Sequence, residues 1–314
     1  MKWKSAVLAW IVFGATAIIA LPLLNFRDRP LLEVKDVYLE VLDFPAHVTR
    51  AFGHYVASEL FSGTLVFSSD ANFGSPTRFD PSRLDEKLRS PHFLHFIAAG
   101  RLLVSEGWGK GIVSIDDPIG TGWMRVTGPR DDKLNAPHGV CQASDGWVYV
   151  ADSLNSRLVR YRNDGKQWQV FRDLDRKIAY GRQLLCRRDG VWMSNSYESR
   201  EGLNHGEGGN VLKIRDFAAG VVDVVATFPD TNLTGIEVID ERWLVVGLWG
   251  AYQSLVVVDL SDGTQHYVDN PPGLAGPPYG LHFDSQSKEL IATWIGDIRK
   301  RTHRGGIVVY RVSP

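Results

Sequence analysis

Alternation of apolar and polar residues is the main pattern of this chain, and one stretch displays it clearly. Residues 136–165 read "APHGVCQASDGWVYVADSLNSRLVRYRNDG", with Val, Tyr and Trp alternating with polar positions. Asp145-Gly146 interrupts the alternation once, and Asn163-Asp164-Gly165 interrupts it again. A period of two indicates half-buried strands, and an Asp-Gly pair between such runs is typical of a hairpin turn. The stretch therefore predicts short antiparallel strands joined by tight turns.

The same unit recurs along the chain, most visibly in its second strand. The copies begin at intervals of 37 to 52 residues and read "GTLVFSSD" from Gly63, "GRLLVSEG" from Gly100, "GWVYVADS" from Gly146, "GVWMSNSY" from Gly190, "RWLVVGLW" from Arg242 and "KELIATWI" from Lys288. Repeats of this length with about four strands each are typical of a β-propeller. No long amphipathic helix interrupts residues 90–314. The sequence predicts an all-β fold, a six-bladed β-propeller over residues 51–314.

Ring closure needs one further strand, because the last repeat ends at "GGIVVYRVSP" and supplies only a third strand. Residues 31–44, "LLEVKDVYLEVLDF", are rich in β-branched residues and are predicted to form the outer strand of the last blade. Pairing at this place would leave no long edge strand open. Residues 25–50 are thus predicted as linker and ring-closing segment. A helix over residues 31–61 is the alternative, since the apolar residues also fit a helical face.

The first 24 residues form a separate segment with the pattern of a membrane anchor. Lys2 and Lys4 precede an uncharged run from Ala6 to Leu24, and these 19 residues would cover roughly 28 Å as a helix. Residues 1–24 are therefore predicted to be an uncleaved signal anchor, a transmembrane helix that tethers the protein to the membrane. The lysines would keep the N-terminus cytoplasmic and place the propeller on the extracytoplasmic, periplasmic or extracellular side. A cleaved signal peptide is the alternative.

Composition and charge exclude a nucleic-acid partner and leave the cysteines open. The net charge is −1, so no global field attracts nucleic acid. The 31 Gly and 10 Trp suit many short strands and tight turns.

Cys141 and Cys186 follow strand starts in neighbouring repeats, and an oxidising compartment would allow a bond between them. The sequence favours two buried free thiols, because equivalent positions on adjacent sheets usually lie too far apart.

A family resemblance rests on the stretch "PHGVCQASDGWVYVADSLNSRLVRYRNDG". It resembles an NHL repeat, and the six-repeat chain resembles the propellers of the SMP-30/gluconolactonase and paraoxonase-like group. The resemblance implies a metal-dependent lactonase or esterase with calcium in the central channel, held by Glu and by Asn or Asp near the strand starts. The predicted strand starts of this chain supply neither Asn nor Asp at that point. A standard calcium lactonase site is therefore not expected.

Histidines occupy the predicted starts of the first three inner strands, at His54, His92 and His138. Inner strands line the channel of a propeller, so their first residues converge at one mouth. Three neutral imidazoles with an open coordination position are a common catalytic zinc site. The arrangement also resembles NHL-type amidating lyases, which hold zinc on channel histidines. His54, His92 and His138 are thus predicted metal ligands for a divalent metal, zinc or calcium. Hydrogen bonding to neighbouring loops is the alternative.

The loops that follow the second strands open on the same face as the inner-strand starts. Glu106, an acid at the start of the Gly-rich stretch "EGWGKG", is the predicted catalytic residue, and the nearby Trp108 could stack on a substrate. The predicted binding residues, taken from these loops and from the other strand starts, are Trp108, Asn195, Trp249, Arg182 and Tyr279.

Two functions fit these features. In the first, a tethered extracytoplasmic propeller binds a small molecule at the channel mouth and acts as a metal-dependent hydrolase or lyase. In the second, it is a non-catalytic scaffold or accessory subunit whose face docks another membrane or periplasmic protein. The fold does not decide between them, because propellers perform both roles.

Overall fold

The computed structural model describes residues 31–79, 84, 87–119, 121–162, 164–171, 173, 177–197, 208–250, 252–300 and 305–313. These residues form six four-stranded antiparallel sheets, each a blade. Residues 1–24, the predicted anchor, lie outside the described part of the chain. Among the described residues there is no α-helix, and none of their helical segments is long and apolar enough to cross a bilayer. The predicted six-bladed all-β propeller is confirmed.

The blades follow one another along the chain. The first three consist of β2 (Pro45–Ala51), β3 (His54–Glu59), β4 (Thr64–Ser68) and β5 (Thr77–Arg78); β6 (Pro91–Ile97), β7 (Arg101–Glu106), β8 (Ile112–Ile115) and β9 (Trp123–Val126); and β10 (Pro137–Gln142), β11 (Val148–Asp152), β12 (Arg157–Arg162) and β13 (Gln167–Val170). A short 3₁₀ turn, Ser153–Asn155, separates β11 from β12.

The fourth to sixth blades have the same antiparallel order. They consist of β14 (Tyr180–Arg187), β15 (Gly190–Ser196), β16 (Gly209–Asp216) and β17 (Val221–Phe228); β18 (Thr231–Ile239), β19 (Trp243–Gly250), β20 (Leu255–Asp259) and β21 (Gln265–Val268); and β22 (Pro278–Asp284), β23 (Glu289–Trp294) and β24 (Gly306–Val312), with β1 (Leu32–Leu39) outermost.

Ring closure occurs as the apolar pattern predicts. β1 pairs antiparallel with β24, from Leu32 opposite Val312 to Leu39 opposite Gly306. The outer strand of the last blade thus comes from the start of the chain. The helical alternative for this segment is wrong.

The first blade differs from the prediction. Its inner strand is β2, so "GTLVFSSD" forms the third strand and not the second. His54 consequently starts the second strand, and its predicted place at the start of an inner strand is wrong. Three strand-like runs follow one another here, the first two joined by a tight hairpin at Phe52-Gly53, and periodicity does not say which of them is innermost. Residues 25–50 contain β1 and most of β2.

Hydrophobic clusters between adjacent blades form the core. Between the second and third blades, for example, Leu103 and Ile112 pack with Val140, Val150 and Tyr161, all buried. Side chains of one strand alternate between the two faces of its sheet, so each blade supplies one face to each neighbour.

A disulfide joins the third and fourth blades. Cys141 on β10 and Cys186 on β14 are bonded, with 5.6 Å between their Cα atoms. The prediction of two free thiols is wrong. Adjacent inner strands converge near the channel axis, which brings this pair of positions within the usual Cα separation for a disulfide.

Candidate functional site

Six equivalent residues surround one mouth of the channel. Each inner strand contains a register shift near its start. The residue that faces the mouth lies two positions before the regular ladder resumes in five blades, and one position before it in the first blade. In blade order these residues are Ala46, His92, His138, Arg182, Thr234 and Tyr279. Four of the predicted site residues, His92, His138, Arg182 and Tyr279, therefore meet in one ring.

Serine and threonine hydroxyls fix the backbone of this ring. Ser58 on β3 donates to the carbonyl of His92 at 2.6 Å, and Ser105 on β7 donates to the carbonyl of His138. Ser105 also accepts from the Phe93 N–H of its own blade at 3.0 Å. Each hydroxyl thus joins a second strand to the inner strand of the next blade. The two histidines are held by the scaffold and not by flexible loops.

His92 and His138 lie in direct contact, with ring centroids 4.3 Å apart, and are only 3% and 2% exposed. Nδ1 of His92 is 2.7 Å from the carbonyl of Ser90, and Nδ1 of His138 is 2.9 Å from the carbonyl of Ala136. A carbonyl only accepts, so each Nδ1 carries the proton and each Nε2 presents a lone pair. The Tyr180 hydroxyl lies 3.3 Å from Nε2 of His138 and can donate to it.

Both imidazoles are neutral at physiological pH. Burial is the main cause that lowers the pKa of His92 to about 4; the Ser90 carbonyl opposes this shift, and the nearby Arg182 charge adds to it. Burial also lowers the pKa of His138 well below its ordinary value, with His92 and Arg182 acting in the same direction. A neutral imidazole with an available Nε2 can accept a proton from a bound molecule.

Arg182 supplies the positive charge of the site and is surrounded by aromatic rings. One of its terminal nitrogens donates to the Tyr279 hydroxyl at 3.2 Å. Its guanidinium lies 5.0 Å from the Tyr180 ring centroid and 5.1 Å from that of Trp249. Contacts of this kind hold a planar cation in a fixed orientation.

Trp249 also borders a cavity of about 440 Å³ between the fifth and sixth blades, lined in part by Gly276 and Asp297.

Glu106, the predicted catalytic residue, is a loop anchor in the structure. Its carboxylate accepts from the Arg89 N–H at 3.0 Å and from Nε of Arg125 at 3.1 Å, and the residue is 2% exposed. Glu59 and Asp152 make the matching contacts in the first and third blades, with Arg78 and Arg157 as their cationic partners. The recurrence points to a structural role, the positioning of the segment that leads into each inner strand.

We expect Glu106→Ala to lower the free energy of unfolding by about 3–5 kcal/mol, because it leaves the largely buried Arg125 without its partner. Urea unfolding measures this loss. Asp223→Ala breaks an ion pair with Arg215 in which both side chains are exposed. This control variant should lower the free energy of unfolding by no more than about 1 kcal/mol. A variant Glu106→Gln that retains full stability but no activity would contradict the structural role.

Asn195 occupies the same anchor position in the fourth blade. Its Oδ1 accepts from the Ala179 and Tyr180 N–H groups at 2.8 and 3.1 Å, and its Nδ2 donates to Asn210 at 2.9 Å. It therefore positions Tyr180 and does not itself face the channel. Trp108 lies on the loop after β7 and is 60% exposed.

The predicted three-histidine metal centre does not fit the described residues. His54 packs against Phe67 of its own blade, outside the ring of inner-strand residues. Within the described ranges, no group of three or more His, Cys, Asp or Glu side chains is placed to hold a metal ion. A guanidinium beside the two remaining imidazoles also opposes a second cation.

Sequence reasoning missed two residues of this region. Tyr180 precedes the expected strand start, and only the structure shows its hydroxyl at His138. His47 is the histidine of the first inner strand and lies one position deeper than the ring, with Nε2 3.0 Å from the Leu281 carbonyl. The Pro-Ala-His start of β2 resembles the Pro-His starts of β6 and β10. This similarity could have identified His47 from the sequence.

The fold and this mouth define a six-bladed propeller with a polar, aromatic-lined channel entrance. Residues 134–161 match the NHL repeat. A search of curated protein sequences finds no significant match.

Solved propellers resemble the chain in fold. A protein described as a gluconolactonase is 13% identical with a TM-score of 0.64, covering 90% of this chain and 94% of that one. An inactive variant of virginiamycin B lyase from Staphylococcus aureus, with quinupristin, is 13% identical with a TM-score of 0.60. The match covers 90% of this chain and 100% of the lyase chain. YCF48 bound to a D1 peptide is 11% identical with a TM-score of 0.53 over 86% and 78%.

Proposed function

We propose that the protein is an extracytoplasmic enzyme that binds a small molecule at the channel mouth and acts on it by proton transfer, as a hydrolase or a lyase. The observation that carries the proposal is the pair of buried, neutral imidazoles whose Nδ1 protons are fixed on backbone carbonyls. Buried titratable groups with strongly shifted pKa values are often found in catalytic sites. The lactonase-like and lyase propellers of similar fold support this class of chemistry without identifying the substrate.

The chemistry follows from the positions of the donors and acceptors. His138 or His92 accepts a proton at Nε2, either from water that attacks an ester or lactone carbonyl or from an acidic C–H beside a leaving group. Arg182 stabilises the negative charge that develops on the carbonyl oxygen. The imidazolium then returns the proton to the leaving oxygen. No step is assigned to a metal, because the described donors do not fit one.

The disulfide supports the extracytoplasmic part of the proposal, since such bonds persist in oxidising compartments. The direction of β1 also indicates which face of the propeller would point towards the membrane. Leu32 pairs with Val312 at the end of the propeller opposite the mouth, because β24 starts beside Trp294 at the mouth and runs away from it. If residues 6–24 span the membrane, the tether leaves from the face opposite the site, and the mouth is open to soluble molecules.

The test is turnover of two probes, gluconolactone and quinupristin, by the full chain. We expect ring opening of one of them, and His138→Ala should lower kcat by about 10²–10⁴-fold, the usual contribution of a positioned acid–base group. His266→Ala, an exposed histidine on β21, is the matched control and should change nothing. Equal rates for wild type and His138→Ala, or turnover that requires an added metal, would count against the proposal.

A scaffold role is the second candidate, and one observation favours it. Leu154, Tyr197 and Tyr252 follow second strands on the mouth face and are 44%, 37% and 58% exposed. Apolar groups exposed on one face are typical of a docking surface. The YCF48 propeller, similar in fold, binds a peptide. A partner that is lost in a Leu154→Ala, Tyr197→Ala, Tyr252→Ala triple variant but kept in His138→Ala would support this role.

A further inference from the structure

The loop after β7 lies directly against the His92 imidazole and is held in place by backbone hydrogen bonds. The Gly107 N–H donates to the Ser90 carbonyl at 2.9 Å, and the Gly109 N–H donates to the Glu106 carbonyl at 2.9 Å. A Cβ atom on Gly107 would lie 2.1 Å from Cε1 of His92, and one on Gly109 would lie 2.5 Å from Cβ of Glu106. Both positions accept glycine alone. The backbone of Trp108, between them, is therefore held close to His92.

An aromatic wall runs from Trp108 into the site. The Trp108 ring lies 5.6 Å from the Phe61 ring, and Phe61 packs against a buried cluster that contains Phe93 and Tyr279. Phe93 stacks on Tyr279 at 5.8 Å, and the Tyr279 ring is 5.8 Å from that of His92. The wall begins at an exposed indole and ends at one of the two imidazoles. It is continuous with the site already described.

The exposed ring is not needed by the core. Trp108 is 60% exposed, so most of its surface contacts solvent, while Glu106 and the two glycines already fix the loop around it. A large aromatic side chain held rigidly at a site entrance contributes binding energy at little cost in conformational entropy.

We infer that the substrate carries an aromatic or other planar apolar group, which stacks on Trp108 and Phe61 while its ester, lactone or acidic C–H group reaches the imidazoles. The inference rests on the proposed function and names the class of its substrate. It assigns Trp108 as a specificity-determining residue, in addition to its role as a candidate contact.

Two lactones with the same six-membered ring test the inference. Dihydrocoumarin carries a fused benzene ring, and δ-valerolactone lacks it. Calorimetric titration of the full chain with His138→Ala, which slows turnover, should show dihydrocoumarin binding about tenfold more tightly than δ-valerolactone. Adding Trp108→Ala should reduce that preference to less than about threefold. Tyr267→Ala, which removes a 56% exposed ring on the outer strand of the fifth blade, is the matched control and should preserve the preference.

Equal affinity for the two lactones, or a preference that survives Trp108→Ala, overturns the inference. Binding of neither lactone also overturns it, as expected if a protein partner covers Trp108. Failure of the proposed function has a different signature. In that case the preference depends on Trp108, yet the wild-type protein turns over neither lactone.

Discussion

Acidification from pH 7 to pH 4 is expected to unfold the propeller. His47 and His92 are 3% exposed, and burial lowers their pKa values to about 3 and about 4 from an ordinary 6.5. The folded state therefore binds fewer protons than the unfolded state. The stability that these groups contribute is complete above pH 6.5 and is lost as the pH falls towards the folded values. Each of these two histidines therefore lowers the free energy of unfolding by about 3 kcal/mol between pH 7 and pH 4.

Other buried groups modify this loss. His138, His95 and His282 also have lowered pKa values and act in the same direction. Glu237 acts oppositely, because burial raises its pKa to about 7 and folding becomes more favourable as it protonates. Its contribution of about 3 kcal/mol offsets about one histidine. The net loss is comparable with the whole stability of a typical domain.

Circular dichroism and urea unfolding as functions of pH measure this effect, with an unfolding midpoint expected between about pH 4 and pH 6. His47→Gln removes one titrating group and retains a donor for the Leu281 carbonyl, so its stability should depend less on pH. A propeller whose urea midpoint is the same at pH 7 and pH 4 would contradict the buried neutral histidines.

Removal of the disulfide is the second large effect. The bond between Cys141 and Cys186 closes a loop with a sequence separation of 45. By the chain-entropy relation, the double variant Cys141→Ala, Cys186→Ala should lose about 4 kcal/mol of stability. The cost is high because the bond closes a long loop and so restricts the conformations of the unfolded chain. Thermal unfolding with and without a reductant checks it.

The control for this experiment is the wild-type protein under reducing conditions, which should approach the Tm of the double variant. Two reactive thiols in the folded, unreduced protein would show that the bond does not form. A Tm that does not respond to reductant would also contradict the prediction.

The repeat pattern was sufficient to predict the blades, because each blade must alternate its apolar residues between two neighbours. It also predicted closure by β1, since an unpaired outer edge is unfavourable. It did not predict which strand of the first blade is innermost. The segments that form β2, β3 and β4 all have strand-like sequences, and only the packing of the closed ring selects Pro45–Ala51 as the inner strand.

The site was predictable in part for the same reason. Strand starts bring His92, His138, Arg182 and Tyr279 to one mouth, which follows from topology alone. The role of Glu106 was not predictable, because its buried contacts with Arg125 and the Arg89 N–H depend on the fourth strand and on the preceding loop. The disulfide was also hidden, since it depends on the convergence of inner strands at the axis.

The central claim is that the mouth holds two neutral imidazoles with Nε2 available to accept a proton. Nitrogen-15 NMR of the histidines in the full-length protein tests it without any substrate. At pH 7, His92 and His138 should both be neutral and protonated on Nδ1, and both rings should remain neutral as the pH falls until the protein unfolds. Protonation on Nε2, or titration of either ring near pH 6.5 in the folded protein, would contradict the proposed site.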